Sequence, residues 1–240
     1  MDIGQITNRY KHLSSKADYL QLDICGLDSY SALEKLVMYK EKNPHLSKVI
    51  LHGDWTKKGF SENNIKNRYN EYIEIINSLK KHIEVLGITI HPPYRSKYTL
   101  EEFLVYCDAV SRYTNVFIEN RSISKVLLSN PVEIVDASQK VNMTIDIPQL
   151  YISCNYDSDC FMNILKEINH ENVLEYHLGN IKRTSKNTFV ARKLDDPEGI
   201  LKYHDIITYL NNKSFFTLEI LGGSNTFESQ LKYLNSFISK

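Results

Sequence analysis

The chain of 240 residues has no long apolar run, no net charge, no paired-cysteine motif and no glycine-rich phosphate turn. Each absence narrows the reading. A membrane-spanning helix needs roughly 20 consecutive apolar residues, and no stretch approaches that, so no membrane partner is expected. The opening "MDIGQITNRYK" lacks the charged-then-apolar pattern of an export signal. The four cysteines (Cys25, Cys107, Cys154 and Cys160) are scattered without a CxxC. Reduced thiols in a cytoplasmic protein are therefore the expectation, for Cys154 and Cys160 as well. Lys plus Arg number 29 and Asp plus Glu number 29, giving a formal net charge of 0. Enzymes that grip duplex DNA usually carry a basic excess, so nucleic acid is not the expected partner. The missing glycine-rich turn after an early strand argues against an open, doubly wound dinucleotide-binding sheet.

What is present is alternation. Short runs rich in Ile, Val, Leu, Phe and Thr fall at 3–6, 19–24, 48–53, 87–92, 115–120, 142–147, 173–180 and 215–221. Such composition suits strands buried on both faces. Between most of them lie amphipathic stretches. Over 62–84, Ile65, Tyr69, Tyr72, Ile73, Ile76, Leu79 and Ile83 recur every three or four residues, one apolar stripe of a helix. The stretch 29–43 reads the same way, with a serine as its cap. "TLEEFLVYCDAVSRY" opens with Thr99 and carries Glu102 three residues on, a capping-box signature. Further helices are expected near 130–140, 158–169, 197–210 and 226–238, and a short first connection spans 8–17. Strand then helix, repeated eight times, predicts an α/β fold, a (β/α)8 TIM barrel with one domain over 1–240.

In such a barrel the active site forms at the C-terminal ends of the strands. Six consecutive strands end on metal-capable side chains: His52, His91, Glu119, Asp146, His177 and Glu219. A histidine at a strand end is commonly structural, and a glutamate before a loop is commonly a cap. Together, however, three acids around one barrel mouth would repel one another unless a cation offsets them. Histidine mixed with carboxylate suits Zn, Mn, Fe or Co better than Ca.

The motifs "IHPP", "FIENRS", "TIDIPQ", "EYHLGN" and "TLEIL", in this order and spacing, resemble the xylose isomerase-like TIM barrel superfamily. It includes metal-dependent sugar isomerases and epimerases and the endonuclease IV type of abasic-site nuclease. The resemblance implies that Glu119, Asp146, His177 and Glu219 form a shared metal-binding quartet, with Glu119 and Glu219 also handling protons. It further implies that His52 and His91 match the histidines that hold an additional metal in the nuclease branch. Two departures matter. Gln149 stands where both branches commonly carry a histidine, and "ARKLDDPEG", where the nuclease branch has an aspartate–histidine pair, has Asp195 and Asp196 but no histidine. One divalent metal ion, or two at most, is the expectation.

The function expected is isomerisation or epimerisation of a small sugar or sugar phosphate, by proton transfer between Glu119 and Glu219 through a metal-stabilised enediolate. The alternative is a two-metal phosphoesterase. Trp55, Tyr94, Tyr98 and Tyr151 are candidates for the substrate wall, with Gln149 beside them. Arg121, Lys182 and Arg183 are candidates for holding a phosphate or carboxylate. The partner expected is a small-molecule carbohydrate, with a homo-oligomer allowed.

Overall fold

The computed structural model describes residues 1–6, 13–54, 65–184, 189–219 and 224–238. In chain order the strands are β1 (Asp2–Ile6), β2 (Tyr19–Asp23), β3 (Lys48–His52), β4 (Glu84–Ile90), β5 (Val116–Glu119), β6 (Met143–Asp146), β7 (Val173–Leu178), β8 (Asn180–Arg183), β9 (Phe189–Arg192) and β10 (Phe215–Leu218). The helices are α1 (Ser29–Lys42), α2 (Ile65–Leu79), α3 (Leu100–Ser111), α4 (Pro131–Ser138), α5 (Ile147–Ser153), α6 (Ser158–Glu167), α7 (Tyr203–Ile206) and α8 (Ser224–Ile238).

β1 to β7 and β10 close into one parallel barrel in the order β1-β10-β7-β6-β5-β4-β3-β2. This is the (β/α)8 architecture that the alternation of apolar runs predicts. The strands are buried on both faces because helices cover the outside while side chains fill the interior. Val49, Leu51, Ile88, Ile90, Ile118, Ile145 and Leu178 belong to the main apolar core, together with helix residues such as Leu36, Ile76, Phe103 and Leu165. A second cluster of Tyr19, Ile50 and Phe117 is also wholly buried. Backbone approach is tight where these rings sit. A Cβ on Gly87 would lie 2.4 Å from Phe117 Cζ, and one on Gly4 would lie 2.2 Å from Tyr19 Cε2.

Local chemistry fixes the element ends. Thr99 and Glu102 form the expected capping box on α3. For α1 the expected serine is not the cap. Asp28 takes that place, its carboxylate accepting from Ser31 N at 2.7 Å, and an ionised acceptor at a helix start is the stronger cap. The stripe predicted over 62–84 forms α2 from Ile65, with 62–64 outside the described residues. That helix stops at Leu79, and β4 already begins at Glu84, so the chain turns before Ile83 can extend the stripe.

Three regions depart from simple alternation. Between β1 and β2 no helix is found among the described residues. After β7 the chain makes an antiparallel hairpin, β8 with β9, where the apolar run alone suggested one strand ending at 180. The helix expected near 197–210 is reduced to the four residues of α7 and one 3-10 turn, Ile207–Tyr209.

One buried ion pair ties the loops at the mouth. Asp54, just past β3, accepts from Arg68 through both Nε and Nη2, and from Gly26 N at 2.7 Å. The same guanidinium donates to Ile24 O at 2.8 Å and Leu27 O at 2.7 Å. Arg68 on α2 thereby binds the ends of β2 and β3 together, beside His52.

Candidate metal centre

The six strand-end residues converge. His52, His91, Glu119, Asp146 and Glu219 line one cavity of about 220 Å³ with Ile6, Arg121 and Gln149, and His177 is buried against the same acids. The closed barrel of parallel strands accounts for this, since it brings the C-terminal ends of its strands to one rim. The strand register also places Asp146 beside His177.

Glu119 is the hub. Its Oε2 lies 2.8 Å from His91 Nε2, 3.4 Å from His52 Nε2 and 3.6 Å from His177 Nδ1. Its Oε1 accepts from Arg121 Nη1 at 2.9 Å and Gln149 Nε2 at 3.3 Å. Burial alone would raise this carboxyl, but His91, His52 and His177 outweigh it and hold Glu119 well below the usual carboxylate range.

Asp146 has the opposite balance. Burial first, then the charges of Glu219 and Glu119, push it up to about 7. Its side chain is also the N-cap of α5, accepting from Gln149 N at 2.7 Å. "IPQ" is thus the first turn of a helix, with proline at a tolerated position. Glu219 is the open member, its side chain 28% exposed, and its Oε1 lies 3.3 Å from His177 Nδ1. Burial pushes His91 down to about 4. His177 goes the other way: burial opposes its protonation, but Glu219, Glu175 and Glu119 raise it well above its ordinary value.

Below this layer lies a polar layer that the strand-end reading missed. Glu175, wholly buried, accepts from Gln21 Nε2 at 2.9 Å, Thr217 Oγ1 at 2.6 Å and Thr144 Oγ1 at 3.0 Å, and from Thr89 Oγ1. Its Oε2 lies 3.2 Å from His177 Nε2. Burial would raise Glu175 too, but His177 and the hydroxyl donors hold it below the usual range. The signal was present in the sequence. Thr89, Thr144, Glu175 and Thr217 each precede a strand-end residue by two positions, so they point inward directly beneath His91, Asp146, His177 and Glu219.

These residues fit a divalent cation. Three overlapping sets bring ligand atoms within 4.8 Å of one another: His52, His177 and Glu219; His52, His91 and Glu119; and Glu119, Asp146 and His177. His177 Nδ1, which faces Glu119 and Glu219, is buried without a hydrogen bond among the described residues. Unsatisfied buried nitrogen beside crowded carboxylates is expensive unless a ligand completes it. His177 would hold a cation through Nδ1, its Nε2 lying 3.2 Å from Glu175 Oε2 and 2.7 Å from Gln21 Nε2.

The remaining candidates are distributed differently. Arg121 and Gln149 line the cavity. Trp55 lies outside the described residues. Tyr94 forms an isolated bridge with Val126 and does not line the cavity. Tyr98 packs on Tyr106, and Tyr151 is buried and donates to Tyr156 O at 2.8 Å. Lys182, on the β8–β9 hairpin, pairs with Glu198, because the hairpin carries it away from the strand-end layer. Arg183 lies over the Tyr156 ring. Asp195 accepts from Gln230 Nε2 at 2.8 Å, and Asp196 pairs with Arg192. Cys154 and Cys160 are free thiols. No helix among the described residues is long and apolar enough to cross a membrane.

No family model matches the chain, and no curated protein matches it in sequence. Solved structures share its architecture. A xylose isomerase domain-containing protein from Salmonella typhimurium superposes with a TM-score of 0.65 at 12% identity, over 92% of this chain and 88% of that one. Endonuclease IV from Thermus thermophilus gives 0.65 at 12% identity, over 100% and 99%. Mannonate dehydratase from Streptococcus suis gives 0.57 at 9% identity, over 100% and 96%. At these identities the likeness concerns the fold alone, a closed (β/α)8 barrel.

Proposed function

We propose that residues 1–240 act as one domain, a metal-dependent isomerase or epimerase of a small sugar or sugar phosphate. The observation that carries this reading is a cavity of about 220 Å³, small and polar, with Glu119 and Glu219 both lining it beside the imidazoles. A volume of that order suits a small molecule rather than a macromolecular surface. Glu119, Asp146, His177 and Glu219 would hold the cation, with His52 able to join them. When bound, the cation would supply Lewis-acid polarisation of the substrate's carbonyl and hydroxyl oxygens.

The residues divide the remaining work by environment. Glu119 stays anionic between three imidazoles and Arg121, so it can accept a proton without first losing one. Glu219 is the more open carboxylate, suited to exchanging a proton with a substrate entering from the mouth. Gln149 links Glu119 and Asp146, donating to Glu119 Oε1 and Asp146 Oδ2 at 3.3 Å each. It fixes the carboxylates' orientation and leaves the substrate-facing edge to the cavity.

A panel of ketoses and their phosphates, incubated with Mn²⁺-loaded protein in deuterated water, tests the reading. Deuterium should enter at a carbon next to the carbonyl, and Glu219→Gln should abolish that entry while the fold survives. No exchange with any ketose by protein of proven metal content would defeat the proposal, as would undiminished exchange in the Glu219→Gln variant.

A further inference from the structure

The three metal-capable sets leave room for more than one ion, because His91 belongs only to the set on the Glu119 side. That side already holds a cation. Arg121 Nη1 lies 2.9 Å from Glu119 Oε1 and 3.3 Å from His91 Nε2. His91 Nε2 is in turn 2.8 Å from Glu119 Oε2. The guanidinium thus spends its charge on the carboxylate that a second ion would need, and its N–H meets the imidazole nitrogen that such an ion would use. The Arg121 side chain is largely buried, 16% exposed, so solvent screens it little and a divalent ion beside it would meet like charge at short range.

We propose that Arg121 is the resident cation of the His91 side of the site, so that each chain binds one divalent ion, among Asp146, His177, Glu219 and Glu119, and not two. Arg121 is a residue that sets metal stoichiometry. This rests on the metal reading above and goes beyond it by assigning the number of ions to one side chain. It also separates the two functional classes weighed from the sequence, because a two-ion phosphoesterase needs the His52, His91 and Glu119 set filled.

The test is equilibrium dialysis against Mn²⁺ and, separately, Zn²⁺, with bound metal measured by mass spectrometry. The full-length wild type, Arg121→Met and Arg121→Lys are compared, with circular dichroism as the check on folding. The expected result is one ion in the wild type, two in Arg121→Met and one in Arg121→Lys, which keeps the charge. Adding His91→Ala to Arg121→Met should return the count to one. Two ions in the wild type would overturn the inference and leave the metal reading intact, and so would one ion in folded Arg121→Met. No bound ion in any of the three proteins would overturn the metal reading itself. If Arg121→Met fails to fold, the wild-type count and His91→Ala decide: one ion in both supports the inference, and a loss of metal in His91→Ala contradicts it.

Discussion

Replacing Asp146 by asparagine should make the metal-free protein more stable at pH 8, while removing a metal ligand. Asp146 is buried beside Glu219 and Glu119, and its carboxyl is pushed from an ordinary 3.8 to about 7. A carboxyl whose folded value is raised contributes stability below its unfolded value and loses it as pH rises through the folded value. The metal-free wild type therefore loses this contribution between about pH 4 and pH 7. At about 1.4 kcal/mol per pH unit the ceiling is about 4 kcal/mol, and water entry relaxes part of it, so a gain of about 2–4 kcal/mol is expected for Asp146→Asn at pH 8. Asparagine keeps the cap on α5, because its side-chain oxygen can still accept from Gln149 N. At about 2–4 °C per kcal/mol for a chain of this size, the melting temperature in EDTA should rise by roughly 4–16 °C. At pH 4.5 most of the gain should vanish. Urea unfolding of both proteins in EDTA at the two pH values measures the effect. Mn²⁺ should then stabilise the wild type and leave Asp146→Asn nearly unmoved. A variant less stable than the wild type at pH 8 in EDTA would refute the electrostatic reasoning.

Four other outcomes follow from the same structure. Glu175→Gln keeps the size of the buried side chain but removes the acceptor behind His177, so metal affinity should fall about 10- to 100-fold, read by competition with a chelating dye. Arg68→Leu strands the buried Asp54 and should cost about 3–5 kcal/mol in denaturant unfolding. Gly87→Ala drives a Cβ to 2.4 Å from Phe117 Cζ, and a loss of about 1–3 kcal/mol is expected in the same measurement. Thr99→Ala breaks the capping box of α3 and should cost about 1 kcal/mol; a cost near zero would mean that Glu102 alone holds that end.

The fold was legible because the sequence obeys two periods. Runs such as 48–53 and 87–92 lack a polar face, as buried parallel strands do, while Tyr69, Tyr72, Ile76 and Leu79 keep a helical stripe. The clustering of His52, His91, Glu119, Asp146, His177 and Glu219 was legible because polar residues stop apolar runs where a barrel opens. Glu175 and its threonine donors were missed because they sit inside the runs, where a lone polar residue reads as noise until period-two spacing is applied. Lys182 was misjudged for another reason. Nothing local announces that the chain after His177 folds back as the β8–β9 hairpin, which turns Lys182 toward Glu198. Likewise the Arg121–Glu119 pair depends on a guanidinium bending back two residues, and spacing alone does not dictate that.

The most direct single measurement is a crystal structure of protein grown with Mn²⁺, with diffraction recorded for manganese anomalous scattering. The account predicts one strong peak in the barrel mouth, within ligand distance of Glu119, Asp146, His177 and Glu219. A barrel mouth without a peak, or a peak elsewhere on the molecule, would contradict it.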